Sequence, residues 1–212
     1  MILNMGLLQI AILLPLLLLS LTVHGWAHGK SAFLLGDPTA KERGRLTLNP
    51  IKHIDIFGLV MLLMVGVGWA KPVPIDIRRL RSPNRDLVLV SLAGPASNLA
   101  IAFVTGFLAR GYRLLLRADR IAESPVLFQV LVLLTVINGL LFFFNMLPMP
   151  PLDGSKVLGA FLNRRRPELA AVYFRYGAYL LLAILVAQLV FDVPVIPFSQ
   201  VTRFIVELVT GG

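Results

Sequence analysis

Long runs without a charged side chain are the dominant pattern along this chain. No Asp, Glu, Lys or Arg occurs in residues 1–29, 87–109 or 124–152. The hydrocarbon core of a bilayer is roughly 30 Å thick, and about 20 apolar helical residues are needed to cross it. Each run is therefore long enough to cross a membrane once, and the pattern predicts a polytopic membrane protein.

The apolar segments are of two kinds, long and short. The short one, residues 56–70, contains three glycines. Near the end of the chain, four apolar residues have the spacing of one helix face and predict an amphipathic helix over about 196–209, on or against the membrane: Val201, Phe204, Ile205 and Leu208. We expect an all-α polytopic fold forming one integral-membrane domain over residues 1–212, with spans at about 6–28, 87–109, 126–147 and 169–191.

Composition supports this class and excludes others. Hydrophobic residues make up 57% of the chain and charged residues 15%, and there is no cysteine, so disulfides and thiolate metal sites are excluded. The net charge of +9 comes from 20 Lys and Arg that lie almost wholly between apolar segments. That placement suits contact with a lipid bilayer better than nucleic acid, which we do not expect as a partner. The first 23 residues carry no Lys or Arg, so we expect a retained helix rather than a signal peptide.

A pair of histidines stands at the end of the first predicted span. His24 and His28 are four residues apart, so both imidazoles face one side of a helix and can bind one metal ion. The alternative is that both are interfacial residues beside Trp26, a residue type that favours the headgroup region.

A carboxylate completes a candidate ligand set. Asp153 follows the fourth apolar segment, and an acidic residue at membrane depth usually has a cationic partner or a function. Asp153 could also cap the helix that begins at Gly154. Two histidines with one carboxylate form the ligand set of a catalytic zinc site with an open fourth position.

Further motifs accompany these residues in order along the chain: Gly36–Ala40, Gly44–Pro50, His53–Asp55, Ala70–Pro74, Gly94–Asn98 and Asn145–Gly154. With them, most of the sequence resembles the site-2 protease family of intramembrane zinc metalloproteases. The resemblance implies one Zn²⁺ per chain, bound by His24, His28 and Asp153. It implies hydrolysis of peptide bonds in or near transmembrane segments of membrane proteins, as in regulated proteolysis. It also implies that Asn98 holds the substrate backbone or the reacting carbonyl, although this residue could instead merely bridge helices.

One position departs from the family pattern. The family motif is His-Glu-x-x-His, and residue 25 is Gly here. In zinc peptidases that Glu takes a proton from the metal-bound water, and loss of such a base costs about 10²–10⁴-fold in rate. We therefore expect an impaired enzyme, and we favour an engineered inactive variant. The alternatives are a natural pseudoprotease that binds membrane segments and, as a different class, a metal transporter with a His/His/Asp site.

Charge and ligand depth predict the topology. If all five apolar segments crossed, His28 and Asp153 would lie on opposite faces, and the 20 Lys and Arg would divide 10 to 10. If residues 45–74 instead form a re-entrant region, the ligands share a face and the basic residues divide 15 to 5. By the positive-inside rule the N-terminus is then non-cytoplasmic, and the zinc site lies near the cytoplasmic face of a bacterial-type inner membrane.

Two features of the re-entrant region have alternatives. Residues Arg45–Asn49 alternate polar and apolar positions, which fits a short strand or a surface loop equally well. The family resemblance implies a strand or hairpin near the zinc site. His53 is a candidate third imidazole, although its loop position and nearby Asp55 favour a structural hydrogen bond.

Overall fold

The computed structural model describes residues 6–65, 68–191 and 194–211. Within these ranges the chain is helical, with no β-strand and with two 3₁₀ turns at Pro50–His53 and Ile77–Arg79. The α-helices of this part of the chain are α1 (Leu7–Leu34), α2 (Thr39–Glu42), α3 (Ile56–Val65), α4 (Pro83–Arg117), α5 (Pro125–Asn145), α6 (Asp153–Arg165), α7 (Pro167–Phe191) and α8 (Phe198–Thr210).

Four of these helices are long and apolar enough to cross a membrane, as predicted: α1, α4, α5 and α7. Three of the four begin at a proline, namely Pro83, Pro125 and Pro167. Proline suits the first helical position because its missing N–H would have no partner there. The four apolar helices make the chain an integral membrane protein.

The helix bundle is apolar outside and polar inside. Large side chains such as Phe107, 79% exposed, and Leu182, 59% exposed, cover its surface, whereas Ser20, Asn98 and Asn138 are fully buried. Lipid is as apolar as these surface residues, so interior hydrogen bonds and close packing associate the helices. The bundle interior is therefore where polar residues carry structural or functional meaning.

Helices α1 and α4 run in opposite directions. His24 lies against Asn98, and His28, further along α1, lies against Val90, which comes earlier in α4. If both helices cross the membrane, the chain between them crosses an even number of times. On that condition, α3 cannot cross the membrane once by itself. Five alternating spans are then excluded.

Helices α1 and α5 run in the same direction. Ser20 of α1 contacts Asn138 of α5, and His28, later in α1, contacts Asp153, which follows α5. The C-terminal ends of the two helices therefore lie at the same end of the bundle.

The strand predicted for Arg45–Asn49 is not formed, and this part of the prediction is wrong. The polar groups close local turns instead: Thr47 Oγ1 accepts from the Asn49 amide at 3.2 Å, and Asn49 Oδ1 accepts from the Ile51 amide at 3.0 Å. Side chains of this type compete with sheet hydrogen bonds for the backbone. The re-entrant course of residues 45–74 remains a prediction.

The predicted C-terminal helix is formed, and only part of its apolar face packs on protein. In α8, Phe204 and Leu208 are 65% and 58% exposed, whereas Val209 is buried and Ile205 packs over Gly139 of α5. Arg110 of α4 donates to the Leu208 carbonyl at 3.0 Å, which holds the end of α8 against the bundle. The sequence pattern identified an amphipathic helix but not which of its apolar residues face protein.

A buried carboxylate fixes the chain where it leaves α1. Asp37 is fully buried, and its Oδ1 accepts from the Thr39 amide at 3.0 Å and from the Thr39 hydroxyl. Its Oδ2 accepts from the Asp76 amide at 2.7 Å. Burial acts to raise the pKa of Asp37, but these hydrogen bonds and the nearby Arg79 charge outweigh it and lower the pKa.

Replacing this carboxylate is expected to loosen the junction. Asp37→Asn turns an amide group toward one of the donors, which should lower the free energy of unfolding by about 2 kcal/mol, as measured by SDS titration in mixed micelles. Because the pKa of Asp37 is lowered by folding, the stabilisation is fully present above its ordinary value of about 4 and is lost as pH falls below that value.

Glu42→Gln is the matched control for Asp37→Asn. Glu42 accepts from Arg79 at 2.7 Å in an exposed ion pair, so its loss should cost less than about 1 kcal/mol. Equal losses in the two variants would contradict the role assigned to Asp37.

Candidate metal centre

Two imidazoles and one carboxylate converge where α1 meets the start of α6. The Nε2 atoms of His24 and His28 are 2.9 Å apart. Asp153 Oδ2 lies 3.2 Å from the His24 Nε2 and 3.0 Å from the His28 Nε2. Among the described residues, this is the group of His and acidic side chains close enough together to hold a metal ion.

The hydrogen bond at Nδ1 of each imidazole determines whether Nε2 has a free lone pair for a metal ion. His28 Nδ1 lies 2.7 Å from the Val90 carbonyl, which only accepts hydrogen bonds, so Nδ1 carries the proton. His24 Nδ1 lies 2.6 Å from Asn98 Oδ1, and the same reasoning applies. In the neutral rings both Nε2 atoms then present lone pairs.

The donor set fits a divalent cation such as zinc. Two nitrogen lone pairs and a carboxylate oxygen within 3.2 Å of one another repel unless a positive charge lies among them. Ligand atoms of a tetrahedral zinc site, with bonds of about 2.0–2.1 Å, lie about 3.3 Å apart. The observed spacings are close to that edge length.

The start of α6 places the carboxylate. Asp153 is the first residue of α6, and Leu152 is the capping residue without a side-chain cap bond, so the predicted capping alternative is not what the structure contains. Gly154 allows the end of α5 to pass over it, since a Cβ there would lie 2.3 Å from the Met146 carbonyl oxygen. Lys156 donates to the other oxygen, Oδ1, at 2.9 Å.

Electrostatics keep this carboxylate ionised. Lys156 donates to Asp153 Oδ1 at 2.9 Å, and its positive charge stabilises the ionised carboxylate. An ionised carboxylate is the form that ligates a metal.

Gly94 of α4 forms the wall against which the imidazoles rest. A Cβ at this position would lie 2.3 Å from His28 Nε2 and 2.7 Å from His24 Nε2, among the atoms that would hold the ion. Any larger residue would displace the imidazoles. The sequence indicated close packing at Gly94–Asn98 but not that the ligands themselves are the neighbour.

Asn98 contacts a ligand instead of an open cleft. It is fully buried, its Oδ1 bonds His24, and its Nδ2 donates to Asn138 Oδ1 at 2.8 Å. Both ends of the amide are engaged, which favours orientation of His24 over the substrate contact implied by the family resemblance. Asn138 itself was missed, although an amide within the apolar segment 126–147 is the kind of residue that signals a function.

The position of the absent family Glu faces His53. A Cβ on Gly25 would lie 3.1 Å from His53 Nδ1 and 3.2 Å from Val73 Cγ2. His53 Nε2 bonds the Thr47 carbonyl at 2.9 Å, so His53 has a structural hydrogen bond, as the sequence favoured, and lies outside the group of three. Its partner is not Asp55, which accepts from the Gly58 amide at 2.8 Å.

An apolar cleft opens beside His53. Its volume is about 560 Å³, and it lies between α1, α3, α5, α7 and α8. His53 and Asp55 line it together with apolar residues that include Leu21, Leu141 and Leu189. The cleft thus offers an apolar surface next to the helix that carries both histidines.

The chain matches known proteins over a large part of its length. The sequence model described as Peptidase family M50 matches residues 112–187, which include Asp153. The chain is 46% identical over 147 residues to "Putative zinc metalloprotease YwhC" of Bacillus subtilis, covering 67% of this chain and 65% of that protein. It is 29% identical over 174 residues to "Putative zinc metalloprotease Rip2" of Mycolicibacterium smegmatis, covering 80% of this chain and 64% of that protein.

A third relative is archaeal. The chain is 31% identical over 103 residues to "Putative zinc metalloprotease MJ0611" of Methanocaldococcus jannaschii, covering 49% of each protein. The chain thus spans about half to two thirds of the length of these relatives. No solved structure gives a significant match. The site geometry and these comparisons agree: the chain resembles peptidase family M50, the site-2 protease family.

Proposed function

We propose that this chain binds one Zn²⁺ through His24, His28 and Asp153, in a membrane protein built for intramembrane proteolysis. The observation that carries the proposal is the convergence of two imidazole nitrogens and a carboxylate oxygen within 3.2 Å of one another. The names of the relatives all contain the words "zinc metalloprotease", which supports the choice of metal.

The chain holds the ligand set but lacks the usual general base. When bound, zinc polarises a carbonyl and lowers the pKa of a water molecule. His24 and His28 supply neutral nitrogen ligands, and Asp153 supplies the negative charge. With Gly25 in place of the motif Glu, no carboxylate at residue 25 takes the proton, so we propose that peptide hydrolysis is impaired by about 10²–10⁴-fold.

The substrate class follows from the apolar cleft. A transmembrane segment has an apolar surface, and the cleft of about 560 Å³ beside α1 is apolar along α5 and α7. We propose that it receives such a segment of a membrane protein. Retention of the cleft without the base also favours a second candidate function, a pseudoprotease that binds membrane segments without cutting them.

The re-entrant course of the chain between α1 and α4 belongs to the same proposal. Its ends meet, since the Lys71 amide donates to the His53 carbonyl at 2.9 Å. Inside this pair of residues, Gly58 of α3 packs on the Trp69 backbone. A Cβ on Gly58 would lie 2.1 Å from the Trp69 carbonyl oxygen. Exposed Phe57 and Met64 give α3 an apolar surface. These contacts support an excursion that enters and leaves the bilayer on one face.

Charge supports the proposed orientation. With the re-entrant course, the 20 Lys and Arg divide 15 to 5 between the two sides. By the positive-inside rule the richer side is cytoplasmic, so the N-terminus is non-cytoplasmic and the zinc centre lies near the cytoplasmic face of an inner membrane.

Gly94→Ala is expected to weaken zinc binding strongly. The added methyl group would occupy the space beside both Nε2 atoms, so zinc affinity should fall at least about 100-fold, as measured by metal analysis of the purified protein and by Co²⁺ titration. Gly111→Ala, in the same helix, meets no atom within 4 Å and is the matched control. Normal zinc content in Gly94→Ala would contradict the proposed site.

Gly25→Glu is expected to restore proteolysis. The new Cβ would meet His53 and Val73 at 3.1–3.2 Å, which a shift of a few tenths of an ångström relieves. Cleavage of a single-span model substrate in liposomes should rise at least about 100-fold, whereas Gly25→Gln, of the same size, should stay inactive.

Zinc content of the three proteins distinguishes the outcomes. We expect equal zinc content in the unsubstituted protein, in Gly25→Glu and in Gly25→Gln. Zinc in all three without cleavage by the Glu form would favour the binder, and zinc in none would refute the metal centre.

A further inference from the structure

A line of buried amides and a hydroxyl leads away from the candidate metal centre. His24 Nδ1 bonds Asn98 Oδ1 at 2.6 Å, and Asn98 Nδ2 donates to Asn138 Oδ1 at 2.8 Å. Asn138 Nδ2 donates to Ser20 Oγ and to the Leu134 carbonyl, both at 2.9 Å. The line thus joins α1, α4 and α5 and begins on a metal-ligand candidate.

The side-chain amide of Asn138, at the far end of this line, has only one orientation that satisfies its hydrogen-bond partners. The Leu134 carbonyl can only accept, so Asn138 must turn its Nδ2 toward it and its Oδ1 toward Asn98. Ser20 agrees with this orientation: its hydroxyl donates to the Leu16 carbonyl at 2.8 Å, which leaves its oxygen free to accept from Asn138.

The orientation of Asn138 determines that of Asn98, and Asn98 in turn determines the tautomer of His24. Asn138 Oδ1 requires a donor, so Asn98 presents its Nδ2 to α5 and its Oδ1 to His24. His24 Nδ1 must then carry the proton, and Nε2 is left with its lone pair. Were Asn98 turned over, its Nδ2 would donate to His24 Nδ1, and the proton of the neutral ring would move to Nε2, where it blocks a metal.

His28 needs no such line of side chains to fix its tautomer. His28 Nδ1 bonds the Val90 carbonyl directly, and a backbone carbonyl cannot be turned over. Asn98 alone could present either end to His24, because its two ends are nearly the same size. The dependence on a neighbouring amide is therefore specific to His24.

We propose that Asn138 is a positioning residue that sets the tautomer of His24, acting through Asn98 without contact with the ligand. The proposal deepens the metal centre proposed above and rests on it for its consequence. Loss of such outer contacts of a ligating His typically weakens metal binding 10–100-fold.

The same pair of helices contains a matched control. The hydroxyl of Thr135 of α5 lies 2.9 Å from the hydroxyl of Thr105 of α4, also in the buried interface, and one of the two donates to the other. Thr135→Val removes a buried bond between the same two helices without touching the line to His24.

The test uses the full chain in detergent micelles, with ¹⁵N introduced only in histidine. The chain has three histidines, so few ring signals arise, and a His53→Gln variant removes one pair. Ring ¹⁵N shifts separate a protonated nitrogen from one with a free lone pair. Metal-free wild-type protein at mildly alkaline pH should carry the His24 proton on Nδ1.

The variants give the decisive comparison. Asn138→Leu should yield mixed His24 tautomers and a 10–100-fold weaker Co²⁺ affinity. Asn138→Asp keeps an oxygen acceptor facing Asn98 and should retain the wild-type tautomer, as should Thr135→Val.

Three results would overturn the proposal. These are a wild-type His24 protonated on Nε2, an unchanged tautomer in Asn138→Leu, and equal affinity losses in Asn138→Leu and Thr135→Val. If Asn138→Leu does not fold, the wild-type protein and Asn138→Asp still test the proposal, because a His24 proton on Nε2 in either would overturn it. Failure of the wild type to bind Co²⁺ would refute the metal centre itself, while the tautomer measurement would still test the role of Asn138.

Discussion

The mutual repulsion of two imidazole lone pairs and a carboxylate is the interaction around which this bundle is arranged. His24, His28 and Asp153 come from α1 and α6, and their ligand atoms lie within 3.2 Å of one another. Holding them there requires α5 to run parallel to α1 and requires Gly154 to let the end of α5 pass. It also requires α4 to present a glycine, not a side chain, at position 94. A divalent cation among these three atoms would replace the repulsion by attraction.

The contrast between this preserved ligand set and Gly25 defines the functional question. Holding a cation and moving a proton are separate tasks, and the chain retains the groups for the first while lacking the usual group for the second. The apolar cleft beside His53 fits the proposed protease and the proposed non-catalytic binder of membrane segments equally well. In the proposed function, position 25 is the residue that distinguishes these two possibilities.

Much of this arrangement could be predicted from the sequence, because it follows from simple physical quantities. Charge-free runs identified the four long apolar helices, and ligand depth excluded five alternating spans. The strand predicted for Arg45–Asn49 is not formed, because the side chains of Thr47 and Asn49 accept hydrogen bonds from nearby backbone amides. Periodicity could not tell which apolar residues of α8 face protein, because lipid and protein interiors both accept them. The role of Asn98 depends on Asn138, which is 40 residues away in sequence and which no spacing rule connects to it.

The coordination shell of the zinc-loaded protein tests the central claim most directly. X-ray absorption at the zinc edge should give two imidazole nitrogens at about 2.0–2.1 Å, with oxygen completing the shell at about 2.0–2.2 Å. Such a shell would match ligation by His24, His28 and Asp153. A shell with fewer than two imidazoles, or one made only of oxygen, would contradict it.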